Sequence, residues 1–233
     1  MPLTNPIFRR ISRLAEEQGV RAFVVGGYVR DHFLRRPSTD IDVVVVGSGI
    51  ALAEALGREL HAKVSVFKTF GTAMLRHKGV EVEFVGARRE SYTQDSRKPQ
   101  VEAGTLEDDQ RRRDFTINAM AYNDKNGLID AFDGVGDLER GVIRCVGCAM
   151  ERFSEDALRM LRAVRFAAQL GFAIEAETKE AMVKLAPDIA KISAERIQTE
   201  LVKLITSAHP GEIRTAWETG LTAVFLPEFD RMM

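Results

Sequence analysis

The sequence predicts an α+β protein: a first domain over residues 1–145 built on a mixed or antiparallel sheet, then an all-helical domain over residues 146–233. Three observations carry that expectation. Five β-type apolar runs (AFVVGG, DIDVVVVG, KVSVFKT, TAMLRHK and VEVEFVGA) follow one another between residues 22 and 87. From Thr105 onward the apolar residues recur mostly with a helical period. Finally, 233 residues with 45% hydrophobic content suffice for one sizeable core or two smaller ones.

Taken in order, a helix is expected over about residues 5–18, ahead of AFVVGG. The stretch Tyr92–Gly104 (YTQDSRKPQVEAG) is polar, holds Pro and Gly, and reads as an exposed loop. Within GLIDAFDGVGDLERGVIRCVG, the β-like runs LIDAF and VIRCV flank a Gly-rich turn. Helices fill the remainder, with Ser154 and Ser193 as N-caps and Gly171 as a C-terminal stop. The domain boundary is expected near residues 140–153.

Composition narrows the function. No run of eighteen apolar residues occurs, and MPLTNPIFRRISRL lacks the form of a secretory signal, so a cytoplasmic protein without a membrane partner is expected. The formal net charge of −1 excludes nucleic-acid binding through bulk positive charge. Binding would need segregated patches, for which Arg35-Arg36, Arg88-Arg89 and Arg111-Arg112-Arg113 are the candidates. Cys145 and Cys148 have no second Cys or His pair to complete a zinc shell and read as two reduced thiols.

In TDIDVVVV, Asp40 and Asp42 are two residues apart at the start of a strand, so their side chains leave the same face. Like charges held this close repel, and a divalent cation between them relieves the repulsion; hard oxygen ligands suit magnesium. Glu83, in VEVEFVG, can join the pair if the two strands are neighbours, although Glu81 shares its face. A second feature precedes them: VVGGYVRD sets Gly26 and Gly27 between a strand and a helix, where backbone N–H groups can approach a phosphate, with Arg30 one turn on. A third lies in EDALRMLRAVRF, where Asp156, Arg159 and Arg162 recur every third residue opposite Leu158, Leu161, Val164 and Ala168. A carboxylate beside a guanidinium fork can pair with the Watson–Crick edge of a base, yet the same spacing is equally that of a solvated helix face.

These segments resemble a known family. VVGGYVRDHFLRRPSTDIDVVV looks like the signature of class II tRNA nucleotidyltransferases and bacterial poly(A) polymerases, within the DNA polymerase beta superfamily. RRDFTINAMAY, LIDAFDGVGDLERGVIRCVG, SEDALRMLRAVRFAAQLGF and ISAERIQTEL resemble that family's further motifs in order, so the likeness spans about residues 20–205.

The resemblance implies a polymerase-beta-like head followed by a helical neck. It implies template-independent transfer of CMP and AMP from CTP and ATP to the 3′ end of tRNA, with Mg2+ at Asp40 and Asp42 and pyrophosphate as the leaving group. Under it Asp156 and Arg159 read the base with Arg162 assisting, Arg113 contacts the nucleotide, Asp114 and Asn118 shape the pocket, and Arg196 falls in the last motif. An Arg196–Glu200 pair at i,i+4 explains that arginine equally well. A poly(A) polymerase, a CC-only or A-only enzyme and a silent RNA-binding module share parts of this pattern. The chain ends soon after the last motif, so a fragment lacking the RNA-binding body and tail is expected, one that binds nucleotide but grips tRNA weakly. Oligomeric state is not legible.

Overall fold

A computed structural model describes Leu3, residues 5–93 and residues 96–233. It divides into two compact units, residues 1–113 with 117–135, and residues 114–116 with 136–233.

The first unit opens with helix α1 (Pro6–Glu17), whose N-terminus is closed by Asn5: its side-chain oxygen accepts from Ile7 N at 3.0 Å, and Pro6 occupies the first turn, where no N–H is needed. Strand β1 (Arg21–Val25), helix α2 (Gly27–Phe33), strand β2 (Asp40–Val46) and helix α3 (Gly49–Leu60) follow. Then come β3 (Val64–Phe67), β4 (Thr72–His77) and β5 (Val80–Gly86). Strands β6 (Arg88–Thr93) and β7 (Ser96–Ala103), helix α4 (Leu106–Arg111), and strands β8 (Ala121–Asn123) and β9 (Gly127–Ile129) complete it.

Seven of these strands form one sheet in the order β3-β4-β5-β2-β1-β8-β9. Only β2 and β5 run parallel, which makes the sheet mixed. Val43, Val44 and Val45 are all buried, so both faces of β2 are covered. Helices α1 and α3 pack against the sheet from one side. Val44 belongs to an opposite-face cluster with Phe23, Val25, Ala87, Ala121 and Leu106 of α4. Each fully buried Val, Leu or Phe side chain contributes about 1.5–3 kcal/mol. Alternation along β2 puts Asp42 and Asp40 on the Val44 face, just past where the apolar cover stops.

The second unit holds α6 (Ala149–Glu155), α7 (Leu158–Leu170), α8 (Ala176–Leu185), α9 (Ala194–Ile205), α10 (Ile213–Glu218), α11 (Leu221–Phe225) and α12 (Pro227–Asp230). Helix α5 (Gly134–Arg140) begins at the end of the first unit and continues into this one. A short parallel pair, β10 (Val142–Ile143) with β11 (Ala173–Ile174), ties the entry to the end of α7. Phe115, Phe153, Met160, Leu161 and Ile143 lie at its centre. Among the described residues no helix is long and apolar enough to cross a membrane.

Four local expectations are corrected. Tyr92–Gly104 is not a loop: β6 and β7 pair antiparallel from Arg88↔Ala103 to Thr93↔Ser96, because a ribbon can satisfy its backbone without an apolar period; Gln94 and Asp95 lie outside the described residues. The Gly-rich turn after LIDAF is helix α5, whose first N–H groups, Gly134 and Val135, donate to the Asp130 carboxylate at 2.8 and 2.9 Å. Ser154 is no N-cap. It sits inside α6 and donates to Met150 O, while Asp156 accepts from Leu158 N at 3.1 Å at the start of α7. Arg196 pairs with Asp156, not Glu200, because Glu200 is taken by Arg165. Ser193 does occupy the N-cap position of α9, and Gly171 ends α7 in the left-handed region at φ 71°.

Candidate active site

The site of the first unit is built where β1 ends beside the beginnings of β2 and β5. Val25, the last residue of β1, pairs with Asp42, and the parallel register of β2 with β5 sets Glu83 beside Asp42 and Glu81 beside Asp40. Each glutamate thus neighbours one of the two aspartates. Glu81 is engaged by Arg76 at 2.5 Å, whereas Glu83 makes no ion pair among the described residues and raises the same question as Asp42, namely what compensates its charge.

Electrostatics agree with that geometry. Asp42 is open to solvent on one side, but the protein behind it strips away hydration and raises its pKa above the usual carboxylate value; Arg113 opposes that rise, and Asp40 and Asp109 add to it. Burial likewise raises Glu83, followed by the charges of Asp42 and Glu81. Asp42 and Glu83, both with raised pKa, and Asp40 near them offer hard oxygen donors of the kind a divalent cation takes. Among the described residues no group of three or more potential ligands forms a ready-made metal cage. Such a site suits an ion that takes its remaining oxygens from a phosphate substrate and water, the usual mode for magnesium.

The glycine turn closes the other side. Gly26 has φ 72°, in the range L side chains rarely adopt, and follows β1 directly. A Cβ at that position would lie 3.0 Å from Arg113 Nη1 and 3.4 Å from Asp42 Oδ2. The missing side chain therefore leaves room for the Arg113 guanidinium close against the turn, with the Asp42 carboxylate beside it. Gly27 begins α2, and Arg30, one turn on, donates from Nη1 to Asn118 Oδ1 at 2.8 Å and from Nε to Asp31 Oδ1 at 2.9 Å. Arg113 reaches Asn118 O at 3.4 Å and is held from behind by Asp109. Gly26, Gly27, Arg30, Asp42, Arg113 and Asn118 thus meet at one strand–turn–helix corner, with Asp40 and Glu83 at its rim.

The second unit carries the other candidates, and its local structure differs from a continuous polar stripe. The chain leaves helical geometry at Asp156 (φ −149°, ψ 101°), between α6 and α7. Arg159 donates to Glu155 at 2.7 Å and to Arg152 O at 2.9 Å, and Asp156 Oδ2 accepts from Arg196 at 2.7 Å. Arg162 grips Asp114 through Nε at 2.9 Å and Nη2 at 2.6 Å. Arg165, the next residue at three-residue spacing, is buried, bonds Glu200 at 2.7 Å and stacks on the Phe166 ring, its guanidinium carbon 3.6 Å from the ring centroid. The sequence pattern singled out neither Arg165 nor Asp109, and it offered Glu200 to Arg196 rather than to Arg165. Only the i,i+4 spacing of Asp109 and Arg113 carried any trace of them, and such pairs are common on solvated helices.

Comparison with known proteins decides the family. The profile described as the Poly A polymerase head domain matches residues 22–144, and the one described as a probable RNA and SrmB-binding site of polymerase A matches residues 171–233. The CCA-adding enzyme of Leuconostoc mesenteroides is 43% identical over 199 residues, 84% of this chain and 49% of that protein. This chain belongs to the tRNA nucleotidyltransferase and poly(A) polymerase family. Solved members of that family share its fold: the Bacillus stearothermophilus CCA-adding enzyme in complex with CTP superposes with a TM-score of 0.81 at 36% identity, over 94% of this chain and 53% of that one. A tRNA nucleotidyltransferase complexed with a primer tRNA and an incoming ATP analog gives a TM-score of 0.80 at 34% identity, over 93% and 62%. The chain spans about half the length of the curated relatives it matches. The expected polymerase-beta-like head and helical neck is the fold of these nucleotidyltransferases.

Proposed function

We propose that this chain is the catalytic and base-selecting part of a CCA-adding tRNA nucleotidyltransferase, transferring CMP and AMP from CTP and ATP to the 3′ end of tRNA and releasing pyrophosphate. The observation that carries the reading is the corner at Gly26, where the absent Cβ lets Arg113 and Asp42 face one turn beside Asp40 and Glu83. The names of the relatives support the substrate assignment. All the curated relatives compared are bacterial CCA-adding enzymes, which suits action on tRNA in the cytoplasm.

Asp40 and Asp42, with Glu83 beside them, are the residues that would hold Mg2+. When bound, it would neutralise phosphate charge and make the 3′-hydroxyl a better nucleophile. The rest falls to the chain itself. The Gly26-Gly27 turn admits the triphosphate close to the backbone, and Arg30 and Arg113 supply positive charge at its oxygens, so that the α-phosphate lies in line with the attacking hydroxyl. Asp156 and Arg159, assisted by Arg162, would present acceptor and donor groups to the base edge in place of a template. We assign catalysis to residues 1–145 and base selection to residues 146–233, a division consistent with the spans matched by the two family profiles.

The test is incorporation of labelled CTP and ATP, separately and together, into tRNA transcripts lacking CCA, CA or A, with magnesium. Ordered C, C, A addition that stops by itself and is lost in Asp40→Ala/Asp42→Ala establishes the reading. Unlimited A addition reassigns the chain as a poly(A) polymerase, and A added only after CC as an A-adding enzyme. Neither addition nor nucleotide binding leaves a silent module.

A further inference from the structure

We propose that Asp109 is a positioning residue: it clamps the back edge of the Arg113 guanidinium so that the front edge stays aimed into the glycine turn. The inference rests on the nucleotide-binding reading of that turn given above.

Asp109 lies in α4 and is completely buried. Burying a lone carboxylate costs several kcal/mol, so this one persists only because it is paired, and its partners are Arg112 and Arg113. The contact to Arg113 uses one side of the guanidinium, with Nε at 3.0 Å and Nη2 at 2.9 Å from the same Asp109 oxygen. That leaves Nη1 on the other side, 3.4 Å from Asn118 O and 3.0 Å from the point where a Gly26 Cβ would stand.

The anchor itself is fixed. Thr105 and Asp108 form a reciprocal capping box at the start of α4. Buried Gln110, the neighbour of Asp109, donates from its amide to Ala119 O at 2.7 Å and to Ile129 O at 3.2 Å, which ties the helix to the segment leading into β8 and to β9. Arg113 lies just past the C-terminal end of α4, where an unrestrained arginine would sample many rotamers. A clamp on one edge removes that freedom before any anion arrives, and orientation established in advance lowers the cost of binding.

The experiment is calorimetric titration of CTP and ATP, with magnesium, into the wild-type chain and into Asp109→Asn, Asp109→Glu, Arg113→Ala and the double variant Asp109→Asn/Arg113→Ala, each checked for cooperative melting. Asp109→Asn should weaken binding by about tenfold or more, the scale of a lost charged hydrogen bond. Because the effect passes through Arg113, the double variant should bind no more weakly than Arg113→Ala alone. A purely structural role would instead make the two losses multiply, and that result overturns the proposal. Should Asp109→Asn fail to fold, Asp109→Glu decides: it keeps the charge but shifts the carboxylate, and unchanged affinity in a folded Asp109→Glu protein overturns the proposal. Wild-type protein that binds neither nucleotide sinks the underlying reading itself, whereas wild-type binding with unaltered Asp109 variants sinks only the clamp.

Discussion

At the rim of the seven-stranded sheet, Asp42 and Glu83 stand open to solvent with no ion pair among the described residues, whereas in the second unit Asp114 and Glu200 are buried and each holds an arginine. The same residue types therefore do opposite work. Burial first, then neighbouring carboxylates, raises the pKa of Asp42 and Glu83, although Arg113 opposes the rise at Asp42, and such groups favour a cation. Compensated ones lock guanidinium groups along α7, and nothing in the local sequence separates the two cases: both are acidic residues within a few positions of an apolar run. What separates them is whether the fold brings a positive partner.

That contrast can be broken most severely at Asp42. Asp42→Ala should lower nucleotide transfer by about a thousandfold or more, as expected for a group that orients a transferring phosphate, while leaving the melting temperature unchanged or higher. Single-turnover incorporation beside a thermal melt reads both, and a protein that melts much earlier with only a small rate loss would contradict the assignment. In the second unit the order reverses. Glu200→Ala strands Arg165 in the core and should cost about 3–5 kcal/mol in urea unfolding, because a buried charge loses its partner.

Gly26→Ala sharpens the comparison from the side of the turn. It adds strain at positive φ and drives a methyl group to 3.0 Å from Arg113, so nucleotide affinity should fall by about one to two orders of magnitude. Equal CTP binding by the variant would mean that the turn does not carry phosphate.

The pH dependence follows from the sign of the shifts. Asp42 and Glu83 have folded pKa values above their unfolded ones, so the folded state binds protons more readily. Their contribution to stability is complete below the unfolded values near 3.8 and 4.5, and is lost as pH rises through the raised folded values. A magnesium ion held there as proposed would compete with those protons, so stabilisation by the ion should grow with pH, and chelation should lower the melting temperature more at pH 8 than at pH 5. Stabilisation independent of pH would place the ion elsewhere. The smallest effect concerns the thiols: Cys148 is exposed, while Cys145 is buried, with its pKa pushed up to about 12 mainly by burial. A thiol reagent should modify one cysteine quickly and the other only on unfolding.

Much of the fold was legible because apolar periodicity is local. The runs from AFVVGG to VEVEFVGA became β1, β2, β3, β4 and β5 at close to the expected bounds, and the glycine turn and the two aspartates kept their predicted order. The misreadings share one cause. Pairing in the ribbon β6–β7, helix α5 inside a Gly-rich segment, and the break at Asp156 all depend on partners distant in sequence or on a carboxylate capping a neighbouring backbone group.

By itself, then, the chain's residue order determined strands β1 to β5, the shared face of Asp40 and Asp42, and the place of Gly26 before a helix, since each follows from spacing along a few residues. Only the tertiary structure decided that Glu83 rather than Glu81 stands beside Asp42 without an ion pair, that Arg196 reaches Asp156, and that Asp109 backs Arg113 while Arg113 faces Gly26. Register between strands, and the burial that turns an ordinary i,i+4 pair into a fixed clamp, are set by packing of the whole chain, where the free energy of a charge depends on which groups surround it.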